Sequence, residues 1–188
     1  MGEVMTGAGC DRTIAVTPQQ AIDQAREGRI GPLYLVMGEE SFLVDRVMRA
    51  LRGAVDLGAA AAFNEDRFVA PEADVDRVLA AARTVPMMAP KRLVVLSSVE
   101  RWDNKGSSRG GEHPLDALAA YAEDPLDTTV LLLCAGKING SRRLVKAAKK
   151  GGFLVSCATL KRHELPGWIR QTAKAAGHPM DGSAADTL

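Results

Sequence analysis

The sequence is short of several features that would place a protein in a broad functional class. Lys and Arg number 24 against 23 Asp and Glu, so net charge argues for neither nucleic acid nor a membrane surface as a partner. The cysteines, Cys10, Cys134 and Cys157, are odd in number and lack CxxC spacing, which favours a reducing compartment over a disulfide framework. No apolar run approaches the ~20 residues of a membrane span, and the first residues lack the basic start and apolar centre of a signal peptide. We therefore expect a soluble, cytoplasmic protein without membrane contact.

Apolar runs alternate with amphipathic segments over most of the chain. Strands are predicted at residues 33–37, 66–69, 93–97, 129–135 and 153–156. Helices are predicted between them at residues 41–55, 73–83, 114–123 and 141–150, and a further short helix begins with Thr17 as N-cap and Pro18. The strands LYLVM, LVVL and VLLLC are continuous apolar runs, typical of strands covered on both faces. The pattern predicts an α/β fold with a doubly wound, mainly parallel five-stranded sheet flanked by helices.

Composition divides the chain into three regions. Residues 1–16 are small and polar without a period, and predict a loose tail. Residues 17–158 contain the alternating helices and strands, interrupted at residues 101–114 by a stretch rich in Gly, Ser and charge that predicts a flexible surface loop. Residues 159–188 are helix-rich, with another helix start at Asp181, and predict the beginning of a small helical domain that this chain does not complete.

The turn after the first strand lies where many α/β proteins hold a nucleotide phosphate, at a helix start. A phosphate-binding loop has the pattern G-x-x-x-x-G-K-[ST], in which the amides and the lysine contact phosphates and the hydroxyl binds magnesium. Here the turn is Gly38-Glu39-Glu40-Ser41, with one glycine, no lysine and two carboxylates that would repel a triphosphate. The third strand ends in two serines, at 97–98, instead of the acidic residue that holds the metal. We interpret the turn as a vestigial phosphate loop, with Ser41 available as a helix cap.

Other residue types that carry chemistry are isolated in the sequence. His113, His163 and His178 have no plausible ligand or nucleophile paired with them, so each is interpreted as a surface or capping residue. Cys134 lies inside an apolar strand and is interpreted as a core residue. The adjacent carboxylates of the turn are interpreted as a helix-capping arrangement and not as an acid–base pair. We predict no catalytic site, no metal, no cofactor and no small-molecule substrate.

Two adjacent methionines are unusual in the connection between the third predicted helix and the third strand. Met87 and Met88 lie between Pro86 and Pro90, with Ala89 beside them, in a connection that would ordinarily be polar. Two such apolar side chains need something to bury them, and methionine is common on adaptable protein-binding surfaces. Either one or both of these side chains fold back over the edge of the sheet, or the pair is an exposed anchor for another protein.

A basic segment follows the fourth strand. Between residues 137 and 163 there are eight Lys or Arg residues and no Asp or Glu. Such a helix can meet phosphates, but no aromatic residues are interleaved for base stacking, and Lys or Arg also commonly fill the wet face of a helix. The candidate DNA contacts are Arg142, Arg143, Lys146, Lys149 and Lys150.

Four segments together resemble the delta subunit of the bacterial DNA polymerase III clamp loader. Their order and approximate spacing agree with that family across about residues 30–180, and they are PLYLVMGEESFLVDRVMRAL, TVPMMAPKRLVVLSSVERW, LAAYAEDPLDTTVLLLCAGKING and LKRHELPGWIRQTAKAAG. The resemblance implies an AAA+-like first domain that has lost ATP binding, a small helical second domain, and a C-terminal oligomerisation domain that this chain lacks.

The resemblance also implies a binding site. In this family an adjacent apolar pair just before the third strand wedges into a pocket of the ring-shaped sliding clamp (beta) and favours the open ring. Met87 and Met88 fall at that position, flanked by Pro86, Ala89 and Pro90. The family pair is often Leu-Phe or Met-Phe, so Met88 departs from the aromatic choice.

The leading hypothesis is therefore a noncatalytic subunit of a DNA-directed DNA polymerase holoenzyme. It would bind the sliding clamp and favour its open form for loading onto primed DNA, while ATP acts in partner subunits joined through the missing C-terminal domain. One alternative is a degenerate nucleotide-dependent α/β ATPase or kinase-like protein, which would bind Mg-ATP. Another is a DNA-binding module that uses the basic segment from residue 137 to 162, with steeply salt-dependent binding to primed DNA.

Overall fold

The computed structural model describes residues 15–103, 112–159, 165–175 and 177–178. Most of the predicted tail and of the predicted loop at 101–114 lies outside the described residues, as do His163 and the helix start expected at Asp181. The chain divides into two compact units between Cys157 and Ala158. The domain bounds assigned from the sequence stay predictions.

Helices and strands alternate through the first unit. The helices are α1 (Pro18–Arg26), α2 (Ser41–Gly53), α3 (Val75–Ala82), α4 (Pro114–Tyr121) and α5 (Arg143–Gly151). The strands are β1 (Leu33–Met37), β2 (Glu65–Val69), β3 (Arg92–Ser97), β4 (Thr129–Ala135) and β5 (Leu154–Ser156), and short 3-10 helices occupy Ala61–Phe63 and Val99–Trp102. Within the second unit, the described residues form α6 (Leu165–Ala175).

The five strands form one parallel sheet in the order β2-β3-β4-β1-β5. This confirms the predicted α/β class with a parallel five-stranded sheet. Val16, which the sequence placed in a loose tail, instead pairs with Val155 beside β5, and its N–H donates to the Leu154 carbonyl at 2.8 Å. The tail prediction is wrong at that residue because the open edge of β5 offers backbone hydrogen-bonding groups.

The central strand β4 lies in the middle of the core. Leu131, Leu132 and Leu133 are fully buried, so successive side chains on both faces of the sheet are covered. Trp102 is also buried, at 1% exposure, although the sequence placed it in a flexible loop. That prediction is wrong at Trp102 because an indole contributes a large apolar area that the core takes up.

Several helices begin or end at residues other than the predicted ones, and capping residues fix some of these helix starts. Thr17 caps α1 with a capping box, as predicted. Ser41 is the first residue of α2 and not its cap; Glu40 holds the N-cap position and makes no side-chain capping bond. The α3 helix begins after Asp74, whose carboxylate accepts from the Asp76 N–H. The other shifts are earlier ends at Gly53 and Tyr121 and a later start at Arg143.

Parallel pairing places two sets of connections at opposite edges of the sheet. The carboxyl edge, where the strands end, carries the β1–α2 turn and the residues that follow β3 and β4. The amino edge, where the strands begin, carries the segment before β2 and the α3–β3 connection with its methionines. Among the helices that the structure describes, none has both the length and the apolar character needed to cross a membrane.

Candidate protein-binding site

The α3–β3 connection exposes both methionines. Met88 is 89% exposed and Met87 is 54% exposed, and the preceding Val85 is 68% exposed. Met88 therefore does not fold back over the sheet, whereas Met87 is about half-covered, and the identity of what the pair binds stays a prediction. The flanking residues named from the sequence are partly buried or exposed: Pro86, Ala89 and Pro90.

A buried amide holds the backbone of this connection. Asn64 is fully buried, just before β2. Its Oδ1 accepts from the Met87 N–H at 2.7 Å, and its Nδ2 donates to the Met87 carbonyl at 2.8 Å. The same Nδ2 also donates to the carbonyls of Leu57 (3.2 Å) and Ala60 (3.3 Å). Both backbone polar groups of Met87 are thus paired with one side chain.

Asn64 was not predicted from the sequence to belong to this site. The sequence offers one signal, a lone polar residue between the apolar AAAF and a predicted strand, and such residues are usually exposed. Its partner Met87 is 23 residues away, and no local pattern joins the two. Only the pairing of β2 with β3 brings the residues before those strands together.

The backbone beyond Met87 is tightly fitted. Met88 has φ of +50°, a left-handed conformation that is uncommon for residues other than glycine. Gly58 has φ of +62° and lies against it: a Cβ on Gly58 would be 3.0 Å from both the Met88 carbonyl oxygen and the Ala89 Cβ. Only a glycine allows this approach without a shift, so the segment 57–64 forms a support under the methionine pair.

Arg92 ties the same segment to the start of β3. Its guanidinium forms an ion pair with Asp66, on the neighbouring strand, and donates to the Phe63 carbonyl at 3.1 Å. Phe63 itself is 67% exposed. The amino edge therefore presents an exposed aromatic ring from the segment next to the methionine connection.

The β1–α2 turn is closed against its own chain. Only three residues separate Met37 from Ser41, fewer than the pattern G-x-x-x-x-G-K-[ST] places before its helix. The Gly38 N–H donates to the Ala135 carbonyl at 3.1 Å, and a Cβ on Gly38 would lie 1.9 Å from the carbonyl oxygen of Cys157. Glu39 is exposed and Glu40 is half-buried. The backbone of Cys157, directly after β5, thus packs against the turn at Gly38.

Carboxylates of the protein occupy backbone donors after β4. Glu100 accepts from the Gly136 N–H at 2.9 Å, and Asp103 accepts from the Asn139 N–H at 2.9 Å. Burial by itself raises the pKa of Asp103, but the hydrogen bonds from Asn139 and Arg142 and the charge of Arg142 hold it below the usual value. These two backbone amides therefore already have anionic partners.

The basic helix α5 is partly neutralised. Arg142 pairs with Asp103 at 2.5 Å, and Arg143 pairs with Glu123 at 2.6 Å. Two of the five candidate DNA contacts thus have acidic partners within the chain. The other three are exposed, and DNA contact stays a prediction for them: Lys146, Lys149 and Lys150.

The remaining sequence candidates have structural surroundings. His113 caps α4, where its Nδ1 accepts from the Leu115 N–H at 3.2 Å, and it is buried instead of lying at the surface. Burial raises the pKa of Cys134 and raises that of Cys157 to about 12, so neither thiol ionises near neutral pH. Within the described ranges, no group of three or more His, Cys, Asp or Glu residues could hold a metal ion.

Comparisons with known proteins agree with this architecture. DNA polymerase III subunit delta of Bacillus subtilis (strain 168) is 27% identical over 165 residues, which cover 87% of this chain and 48% of the relative. The solved structure of a Bacillus subtilis DNA clamp loader delta protein has a TM-score of 0.79 at 26% identity, covering 90% of this chain and 51% of that one. This chain therefore spans about half the length of the relatives it matches.

A more distant structure shares the fold alone. A DNA polymerase III gamma subunit-related protein from Thermotoga maritima has a TM-score of 0.52 at 16% identity, covering 90% of this chain and 58% of that one. The AAA+-like architecture expected from the sequence is confirmed by these structural matches. Residues 34–158, well over half of the chain, match the family model described as DNA polymerase III, delta subunit. The chain belongs to the DNA polymerase III delta-subunit family.

Proposed function

We propose that this chain binds a ring-shaped sliding clamp through Met87 and Met88, and thereby favours the open form of the ring. The observation that carries the proposal is the exposure of two adjacent methionines, at 54% and 89%, on a backbone fixed by buried hydrogen bonds. Family membership supplies the kind of partner, since the pair lies within residues 34–158, which match the delta-subunit family model.

The energetics suit an anchor pair. Burying a methionine side chain in a partner's pocket is worth roughly 1.5–3 kcal/mol, and central apolar anchors commonly carry most of an interface's binding energy. Because the Met87 backbone is already held by Asn64, less conformational entropy is lost on docking. The unbranched methionine side chain can adjust to a pocket that accepts an aromatic residue in other family members.

Ring opening requires only a difference in affinity. If the pair fits a pocket better in the open ring than in the closed one, binding shifts the equilibrium toward opening by that differential affinity. No bond is made or broken in this chain. We assign ATP binding and hydrolysis to partner subunits, which would be joined through a part of the protein outside this chain. This chain spans about half the length of its relatives.

The closed β1–α2 turn supports this division of labour. Gly38 packs tightly against Cys157, and the turn carries two carboxylates and no lysine. Glu100, the acidic residue nearest the end of β3, has its carboxylate on the Gly136 N–H. These features support a noncatalytic subunit over a degenerate ATPase.

The test replaces both methionines by alanine. Because both side chains are exposed, we expect Met87→Ala with Met88→Ala to leave the free energy of unfolding within about 0.5 kcal/mol. Affinity for purified sliding clamp should fall by tens-fold or more, since truncated anchors commonly cost ~2 kcal/mol or more each. Isothermal titration of clamp, beside thermal denaturation, measures both quantities.

Val69 provides a matched control. It is an exposed apolar residue, at 40%, but it ends β2 at the carboxyl edge of the sheet. Val69→Ala should leave clamp binding unchanged. A stable double methionine variant that binds the clamp as tightly as the original chain would overturn the site assignment.

A further inference from the structure

The segment 57–64 is placed to control the geometry of the methionine pair. We propose that Asn64 and Gly58 are positioning residues for clamp binding: Asn64 holds the Met87 backbone, and Gly58 lets the support lie directly under Met88 and Ala89. This inference rests on the proposed clamp binding and names residues that would act on it without touching the clamp.

The hydrogen bonds of Asn64 are divided between two tasks. Its Nδ2 donates to the carbonyls of Leu57 and Ala60 at 3.2 and 3.3 Å, which closes its own segment. The two shorter bonds, at 2.7 and 2.8 Å, go to the N–H and carbonyl of Met87. A residue needed only for its own segment would not require the second pair. The Met87 bonds are therefore the specific contribution of this amide to the α3–β3 connection.

An amide is the side chain suited to this role. Met87 presents one donor and one acceptor, and a carboxamide offers one acceptor and two donor hydrogens in one plane. A carboxylate at the same place would keep the acceptor but lose the donors, and an apolar residue would leave both Met87 groups unpaired and buried. The near-zero exposure of Asn64 excludes water as a ready substitute partner.

The connection needs external support because little else fixes it. No helix or strand includes residues 83–91, and the 89% exposed side chain of Met88 packs little against the chain. Met88 also holds an uncommon φ of +50°, which such a connection retains only if its surroundings impose it. Without the hydrogen bonds to Met87, the binding-competent arrangement would be only a fraction of the population, and clamp affinity would fall to that fraction of its value.

A substitution at Gly58 provides an independent test of the geometry of the methionine connection. An added methyl group at Gly58 would lie 3.0 Å from the Met88 carbonyl oxygen and from the Ala89 Cβ, so it would displace the connection without removing a hydrogen bond. Gly28 is a matched control, because its φ of +73° is similar to the +62° of Gly58 and nothing lies within 4 Å of its Cβ position. Both alanine variants carry the same backbone strain, and only one pushes on the methionine connection.

The experiment measures clamp affinity and amide exchange on the 188-residue chain. We expect Asn64→Ala and Gly58→Ala to weaken binding of purified clamp by about 10-fold or more, while Gly28→Ala binds as the original chain does. Hydrogen exchange at the Met87 N–H should accelerate in Asn64→Ala, whereas exchange in β4 stays slow if the fold is retained. Should Asn64→Ala fail to fold, the comparison of Gly58→Ala with Gly28→Ala decides the proposal.

The possible outcomes distinguish failure of the positioning roles from failure of the proposed clamp binding. If the original chain, Asn64→Ala and Gly58→Ala bind the clamp equally while the double methionine variant does not, the positioning roles are overturned and clamp binding stands. If the original chain itself does not bind, the proposed function fails and takes the positioning roles with it. Weakened binding in Gly28→Ala equal to that in Gly58→Ala would assign the loss to backbone strain and also overturn the inference.

Discussion

Hydrogen bonds from side chains to the backbone have opposite consequences at the two edges of the sheet. At the carboxyl edge, Gly38 packs onto Cys157, and the carboxylates of Glu100 and Asp103 accept from backbone N–H groups after β4. At the amino edge, the Asn64 side chain pairs with the Met87 backbone, and the Met87 side chain stays exposed to solvent. At the first edge the β1–α2 turn is closed by packing within the chain, whereas the second edge displays an apolar pair at fixed positions.

The difference shows where a function can lie on an inherited scaffold. In open α/β sheets, ligands usually bind at the carboxyl edge, where helix starts and free amides collect. Here the amides of Gly136 and Asn139 have partners within the chain, and the exposed methionine pair stands at the amino edge. A loop that connects a helix to a strand has become the candidate interface, without any change in sheet topology.

The largest effect is expected from adding one methyl group to the closed edge. In Gly38→Ala the Cβ would lie 1.9 Å from the Cys157 carbonyl oxygen, a backbone atom that cannot move aside without disturbing β5. Overpacking typically costs 1–3 kcal/mol and occasionally more, so we expect a loss of about 3 kcal/mol in the free energy of unfolding. Urea denaturation followed by circular dichroism measures it.

Gly140→Ala is the control for this change. Nothing lies within 4 Å of its Cβ position and its φ is not in the left-handed region, so its effect should stay within about 0.5 kcal/mol. If Gly38→Ala were as stable as Gly140→Ala, the turn would have spare room. The claim that the carboxyl edge is closed would then be wrong.

The sequence predicted more features of the carboxyl edge than of the amino edge. Apolar runs such as LYLVM and VLLLC, with capping residues such as Thr17, fix element order because they reflect local periodicity and local hydrogen bonds. The absence of a lysine and of a second glycine in the turn is also visible in a short stretch of sequence. The packing of Gly38 on Cys157 was not, since it joins residues far apart in the chain.

At the amino edge, the sequence identified the methionines but not what holds them. Two adjacent apolar residues between prolines are visible in a short window, whereas the partnership of Asn64 with Met87 depends on strand pairing. Trp102 and Val16 were misassigned for the same reason, because burial and edge pairing are tertiary outcomes. Long-range polar contacts were thus the part of the candidate site that sequence patterns could not supply.

A medium effect is expected from removing a carboxylate at the closed edge. Asp103→Ala frees the Asn139 N–H and the Arg142 guanidinium, and losing such bonds costs about 1–3 kcal/mol at pH 7. Since the folded pKa of Asp103 is below its usual value, the carboxylate stabilises the fold above the unfolded pKa of about 3.9, and this contribution is lost as pH falls through the folded pKa. Urea titrations from pH 7 to pH 3 should show the two proteins converging.

Asp124→Ala tests whether any aspartate would behave in this way. Asp124 is exposed after α4, and we expect its replacement to change stability by no more than about 0.5 kcal/mol at any pH in that range. A gap between Asp103→Ala and the original chain that persists unchanged at pH 3 would contradict the ionic origin of the stabilisation.

The smallest effect, no change at all, is expected from nucleotide. A ligand at 100 times its Kd stabilises a protein by ≈ 2.7 kcal/mol, which for a domain of this size would raise Tm by several degrees. The β1–α2 turn is closed by packing at Gly38, and the turn carries two carboxylates that would repel a phosphate. We therefore expect 1 mM Mg-ATP, about 100 times a micromolar-range Kd, to leave Tm at the value measured with Mg²⁺ alone. Differential scanning fluorimetry makes the comparison, with Mg-ADP as a second nucleotide. A saturable rise in Tm would reopen the carboxyl edge as a ligand site and favour the ATPase alternative, because only binding to the folded state can produce it.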